Sequence, residues 1–341
     1  MIYTFNLWFK LERTVPFISF INLSFLPQVN LFLSVSLFLI VLFCLISYDK
    51  FCIFLAVVLC FVLFFLDRFK CQPIFYLNAL LLIYFIFPKL FFKFSFVQYA
   101  LFLFSLVYFW SGIHKLNPFY LDSLSNVFNP KDFHLISPIL RVIPYFEILL
   151  GLVLFFSMKK KYLILFCAIF HFFIVLFIFI SKNNYIILWW NMYFFIFYTI
   201  TYVLFNKDYF RPLNWNFKLV LISVLFSALP ILNFFNLYDH YLSFSLYSGK
   251  IPQLFIQIKD NEADHLEKVF SDNYSSYLTD NQLLSSYFTT KKNDSFLSFY
   301  KLCIDELHVP PVIEKDVILG LSEYYTEKNI NYNFAFYPSQ D

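Results

Sequence analysis

The chain has 341 residues, of which 60% are hydrophobic, 24% aromatic and only 14% charged, a composition that excludes an ordinary water-soluble enzyme. With 53 Phe, 25 Tyr and only 4 Gly, glycine-rich phosphate-cradling loops and the nucleotide folds built on them are excluded as well. The formal charge of +3 hides a polarity along the chain: residues 1–249 carry 17 Lys and Arg against 8 Asp and Glu, and residues 250–341 carry 8 against 14, so the basic part fits loops facing a cytoplasmic leaflet rather than nucleic acid.

Residues 1–29 hold Lys10, Glu12 and Arg13 within an aromatic stretch and show no small-residue cleavage pattern, so no cleaved signal peptide is expected. The short, Pro-flanked run 14–29 reads as an interfacial or re-entrant segment, with a ninth membrane helix as the alternative. A helix needs about 20 residues to cross about 30 Å of hydrocarbon. Eight apolar runs approach that length, at 30–48, 51–67, 73–92, 95–116, 138–157, 161–180, 184–205 and 217–238. Charges such as Arg68 and Lys70 fall between them, as loop charges do. Lys159, Lys160 and Lys161 crowd a very short connection, which places that side in the cytoplasm; the connection after the fourth run and the C-terminal tail then face outward from the inner membrane.

From Lys250 onward the apolar runs stop. Residues 252–258 alternate like a half-buried strand, 262–270 and 295–307 read as helices, and 330–336 as a second strand. The expected architecture is an all-α polytopic membrane bundle of about eight transmembrane helices with a small acidic C-terminal α/β cap outside the membrane. Its parts are an N-terminal segment 1–29, a transmembrane domain 30–249 and an extramembrane region 250–341. Membrane lipid is the partner of the bundle, and the cap is the surface for a protein partner. The six cysteines, at 44, 52, 60, 71, 167 and 303, form no C-x-x-C pair, so neither a zinc site nor dithiol chemistry is expected.

An ionisable side chain deep in a membrane costs roughly 2.5–3.5 kcal/mol or more, so the few present select the site. Glu147 and His171 fall near the middle of two consecutive runs, at similar depth, where they could share a proton or a hydrogen bond; packing roles against Tyr or backbone are the alternative. Lys115 closes the fourth run in the sequence Ser111-Gly112-Ile113-His114-Lys115. It reads either as a helix-end lysine snorkelling to the interface or as an amine in a dry pocket, available as a base. His114 points about 100° away from it on the helix. Gly112, three residues earlier, permits close approach of another helix.

The pattern Tyr108-Phe109-x-Ser111-Gly112-x-x-Lys115-Leu116-Asn117-x-x-Tyr120, followed by Glu147-x-x-x-Gly151, Phe170-His171, Pro230 and the Ser243–Tyr247 turn, resembles the horizontally transferred transmembrane (HTTM) domain of vitamin K-dependent gamma-carboxylases and their bacterial relatives. That resemblance implies a membrane bundle using a quinone or hydroquinone lipid, with Lys115 as the base and His171 as a further catalytic residue; Glu147 joins them as a candidate through its depth in the bundle. Here the turn reads Ser245-Leu246-Tyr247, and 92 residues follow the bundle where the carboxylases carry a large luminal domain. The stretch Gly112-x-x-Lys115-Leu116 with Pro144-x-x-Glu147-x-x-x-Gly151 equally resembles the DoxX/MauE family of small redox-associated membrane proteins. That second resemblance implies a redox-associated membrane subunit. A non-enzymatic membrane assembly factor, docking through its acidic cap, is the third reading.

Overall fold

The computed structural model describes residues 5–10, 18, 26–47, 49–70, 72–87, 95–117, 120–121, 130–156, 161–181, 185–204, 230–231, 253–258, 295–299, 302–303, 307, 315–327 and 332–337. Its helices are α1 (Phe5–Phe9), α2 (Leu26–Ser47), α3 (Lys50–Leu66), α4 (Pro73–Ile86), α5 (Phe96–Lys115), α6 (Pro130–Phe156), α7 (Lys161–Ser181) and α8 (Tyr185–Val203). After them come strands β1 (Gln253–Ile258) and β2 (Ser295–Ser298), helix α9 (Lys315–Glu327) and strand β3 (Tyr332–Tyr337). Seven of the eight apolar runs are thus helices, α2 to α8. The eighth, 217–238, lies outside the described residues apart from a short turn at Pro230 and Ile231, as do the helix expected at 262–270 and the Ser243–Tyr247 turn.

Among the described residues three helical stretches are long and apolar enough to cross a membrane, Pro27–Cys44, Phe96–Lys115 and Ser137–Phe156, and shorter apolar helices accompany them. Large apolar side chains such as Phe32, Phe43, Phe51, Val142, Phe156 and Phe173 lie exposed on the helices. That is the outside of a protein whose solvent is hydrocarbon. The architecture is that of a helical membrane protein.

The chain divides into two compact units, residues 1–72 with 252–341, and residues 73–251. In the first, Asp49 caps α3 by accepting from the Cys52 amide at 2.8 Å. That hydrogen bond holds its carboxyl below the usual carboxylate range. A turn of 3-10 helix, Arg68–Lys70, follows α3. Lys70 is fully buried and not the loop charge its position suggests. Its Nζ donates to Asn30 Oδ1 at 2.9 Å and Ser34 Oγ at 2.7 Å on α2, and lies 4.6 Å from the centre of the Trp8 ring on α1. A buried ammonium persists because acceptors and an aromatic face replace its hydration.

The three strands form an antiparallel sheet ordered β2-β1-β3, with Ile256 of β1 opposite Leu297 of β2 and Phe334 of β3. Two expectations are corrected here. Ser295–Ser298 is a strand rather than the start of a helix, because its backbone groups are used by β1. Leu254, Phe255 and Ile256 are all buried, so this central strand is covered on both faces and not half-buried. Helix α9, unforeseen in the sequence, buries Val317, Leu321 and Tyr325, and Tyr332 of β3 donates to the Ser322 carbonyl at 3.0 Å. The same unit packs Phe69 against Phe299, ring centres 6.1 Å apart, and Gly320 against the side chain of Ile18.

The second unit is built around α5. A reciprocal capping box opens this helix: Ser95 Oγ accepts from the Gln98 amide at 3.2 Å and Gln98 Oε1 accepts from the Ser95 amide at 2.9 Å. Every side chain from Gln98 to Tyr108 is buried, which suits a helix that is apolar on all sides. At its end, Asn117 Nδ2 donates to the His114 carbonyl at 2.7 Å. Phe104 sits between Phe194 and Phe197 of α8, each 4.7 Å away between ring centres. Helix α6 begins earlier than the sequence suggests, at Pro130, and runs through Pro138 and Pro144. Proline leaves the carbonyl four residues back without its helical donor; at Pro138 the Ser137 hydroxyl supplies one to His134, at 3.3 Å.

Candidate functional site

Two of the chain's four glycines join α5 to α6. A Cβ added at Gly112 would lie 2.6 Å from the Pro144 carbonyl oxygen and 2.8 Å from the Ile148 amide nitrogen, and one at Gly151 would lie 2.7 Å from Ser105 O and Phe109 N. Backbone meets backbone at both places, which only a residue without a side chain allows.

Lys115 lies three residues beyond Gly112, and Glu147 four residues before Gly151. The close crossing brings them together: Lys115 Nζ donates to Glu147 Oε1 at 2.5 Å and Oε2 at 2.7 Å, with the two side chains 12% and 14% exposed. The expected pairing of Glu147 with His171 is therefore corrected. The Gly112 notch turns the Glu147 carboxylate toward α5, so it meets the lysine. Both oxygens of the carboxylate engage the Lys115 nitrogen.

His171, on α7, is buried. Its Nε2 meets the hydroxyl of Tyr108 on α5, and its Nδ1 lies 2.8 Å from Asn191 Oδ1 on α8. With a carbonyl oxygen facing it, Nδ1 carries the proton and Nε2 offers its lone pair to the Tyr108 hydroxyl. The imidazole lies nearly parallel to Phe194 at 4.9 Å and to Tyr198 at 5.9 Å. Cys167, one turn earlier on α7, is buried and within electrostatic reach of Tyr108.

The two groups share helix α5: Tyr108 and Lys115 are seven residues apart on it, two turns along one face. The arrangement has donors, acceptors and exchangeable protons, walled by aromatic rings. Among the described residues no group of three or more His, Cys, Asp or Glu could hold a metal ion. His114 is buried beside Trp110, ring centres 5.7 Å apart.

Two participants carry no site role in the sequence reading. Tyr108 is one tyrosine among 25, and Asn191 follows Trp189 and Trp190 in what reads as an aromatic belt. A polar amide nearly two turns inside an apolar run was the available signal.

Residues 93–188 match the family model of the methylamine utilisation protein MauE. This stretch contains Lys115, Glu147 and His171, and it supports the second of the two resemblances; the gamma-carboxylase resemblance gains nothing from it. No curated protein and no solved structure matches the chain.

Proposed function

We propose that the chain is a membrane subunit or accessory protein of a redox system, whose α5–α8 cluster handles the protons of a quinone-type lipid. The observation that carries the reading is the coincidence of the MauE-like stretch, residues 93–188, with the bidentate Lys115–Glu147 pair and the Tyr108–His171–Asn191 chain. When bound, such a lipid supplies two-electron exchange coupled to gain or loss of protons. The donor set suits it: ring carbonyls take hydrogen bonds from an ammonium or a phenol, and a flat apolar ring suits aromatic walls. Lys115 would hold a ring carbonyl with the N–H that Glu147 leaves free, and Tyr108 with His171 would exchange the proton, while surrounding aromatic side chains exclude water.

The test is purification of the full chain in mild detergent, with mass spectrometry of the retained lipids and proteins. A retained quinone-type lipid, lost in Lys115→Met, together with a stoichiometric partner protein, is the expected result. A preparation carrying neither would sink the reading. A partner without a quinone would confine the role to an accessory one and remove the proton chemistry.

A further inference from the structure

One exposed stripe of α6 grades from polar to apolar. His134, Arg141 and Tyr145 are exposed, and so are Leu149, Leu152 and Phe156; spacings of seven, four, four, three and four residues put all six on one side of the helix. Arg141 stands inside the apolar stretch Ser137–Phe156, and among the described residues no carboxylate pairs with it. A guanidinium keeps its charge at any accessible pH, so on a lipid-facing stripe it persists only where it meets the headgroups.

The glycine crossing fixes the depth of Arg141 independently. Gly112 abuts Pro144 and Ile148, and Gly151 abuts Ser105 and Phe109. Continued by three residues, the same antiparallel register sets Lys115, the end of the apolar stretch Phe96–Lys115, level with Ile143. Measured from that level Arg141 lies about 3 Å outside the hydrocarbon, and measured from Ser137 it lies about 6 Å inside. An extended arginine side chain covers either distance, so its guanidinium stands among the phosphates. Tyr145 follows one turn deeper on the same side. Leu149 and Leu152 lie about 12 and 16 Å below Arg141, where the acyl chains of one leaflet run.

Lipid suits this stripe better than another helix does. Where two helices of this chain meet backbone to backbone the residue is glycine, at 112 and 151. None of the six stripe residues is small, so a second backbone is held off while acyl chains fit between the large side chains. We infer that Arg141 and Tyr145 form a binding site for one anionic phospholipid, the guanidinium donating to two phosphate oxygens and the phenol to an ester oxygen. No Asp or Glu occupies the stripe to receive a choline or ethanolamine cation, so a glycerol headgroup is preferred to a zwitterionic one. The site is separate from the Lys115–Glu147 pair, because Glu147 is turned about 120° from Arg141 around α6.

The full chain in mild detergent, titrated with phosphatidylglycerol or phosphatidylcholine and read by native mass spectrometry, tests this. One phosphatidylglycerol should be held about tenfold more tightly than phosphatidylcholine, and Arg141→Gln should remove that preference. Tyr145→Phe should weaken it about threefold, and Arg141→Lys, which keeps the charge without the two-pronged hydrogen bond, should fall between parent and Arg141→Gln. Lys50→Gln, which removes an exposed cation on α3, should change nothing. These side chains are exposed, so each variant should melt like the parent. Equal affinity for the two lipids in the parent overturns the proposal, as does a preference that survives Arg141→Gln. A dimer or an acidic protein that Arg141→Gln releases, with no lipid preference, overturns it in favour of a protein occupant. Neither a quinone nor a redox partner enters the assay, so its outcome is separate from that of the purification experiment.

Discussion

At Lys115 two residues that both carry positive charge can be told apart. Arginine can pair with Glu147 through two parallel hydrogen bonds, but it does not give up its proton at accessible pH. Lys115→Arg should therefore accumulate in the membrane and melt like the parent, while losing any activity that depends on proton exchange. Lys115→Met leaves the Glu147 carboxylate, only 14% exposed, without its ammonium and should cost roughly 2 kcal/mol, seen as a lower melting temperature in detergent. An arginine variant with full activity would reduce Lys115 to a structural anchor. Rarity made Lys115, Glu147 and His171 legible in the sequence, since an ionisable residue in an apolar run has few bland explanations. Their partners were not legible. Depth along a helix follows from counting residues, but which neighbour a side chain faces depends on helix rotation, and here a glycine notch turned Glu147 toward Lys115 instead of His171.

Between elements, the decisive contact is the α5–α6 crossing. At Gly112 the nearest atoms to an added Cβ include a backbone oxygen and a backbone nitrogen, which cannot rotate away as a side chain can. Gly112→Ala should push the helices apart, at about 1–3 kcal/mol, and lengthen the Lys115–Glu147 pair. A double-mutant cycle checks this. With the pair already broken, Gly112→Ala and Glu147→Gln should be less than additive, whereas strict additivity would disconnect the notch from the pair. In the other unit, Lys70→Met should strand the Asn30 amide oxygen and loosen α2 from the 3-10 turn, at roughly 2–4 kcal/mol, with a red shift of Trp8 fluorescence as that ring gains water. An unshifted spectrum and an unchanged melting temperature would remove the joint from the account. Helices α2 to α8 could be read from the lengths of their apolar runs. Helix α9 and strand β2 could not, because short segments in polar sequence take their conformation from what they pack against.

Across the whole molecule, charge and hydropathy divide the chain near residue 250, whereas its contacts join residues 1–72 to 252–341. Helix α3 has 17 residues, about 25 Å at 1.5 Å per residue, with Asp49 at one end and the turn that bears Phe69 at the other. Since Phe69 packs on Phe299, the C-terminal sheet belongs to the Phe69 end. Single-cysteine variants at Asp49 and Glu327, in a background lacking the native cysteines, should label from opposite sides of sealed membrane vesicles. Labelling from one side would mean that α3 does not cross.

The pairing of Phe69 with Phe299 and of Ile18 with Gly320 also bears on how the protein is made. Phe299 is made 230 residues after Phe69, and Gly320 302 residues after Ile18, which at about 5–20 residues per second is a wait of roughly ten to sixty seconds. During that interval the faces awaiting Phe299 and Gly320 are bare at the edge of the bilayer. A message broken late in its reading frame would yield a chain whose beginning, and not merely its end, stays unassembled.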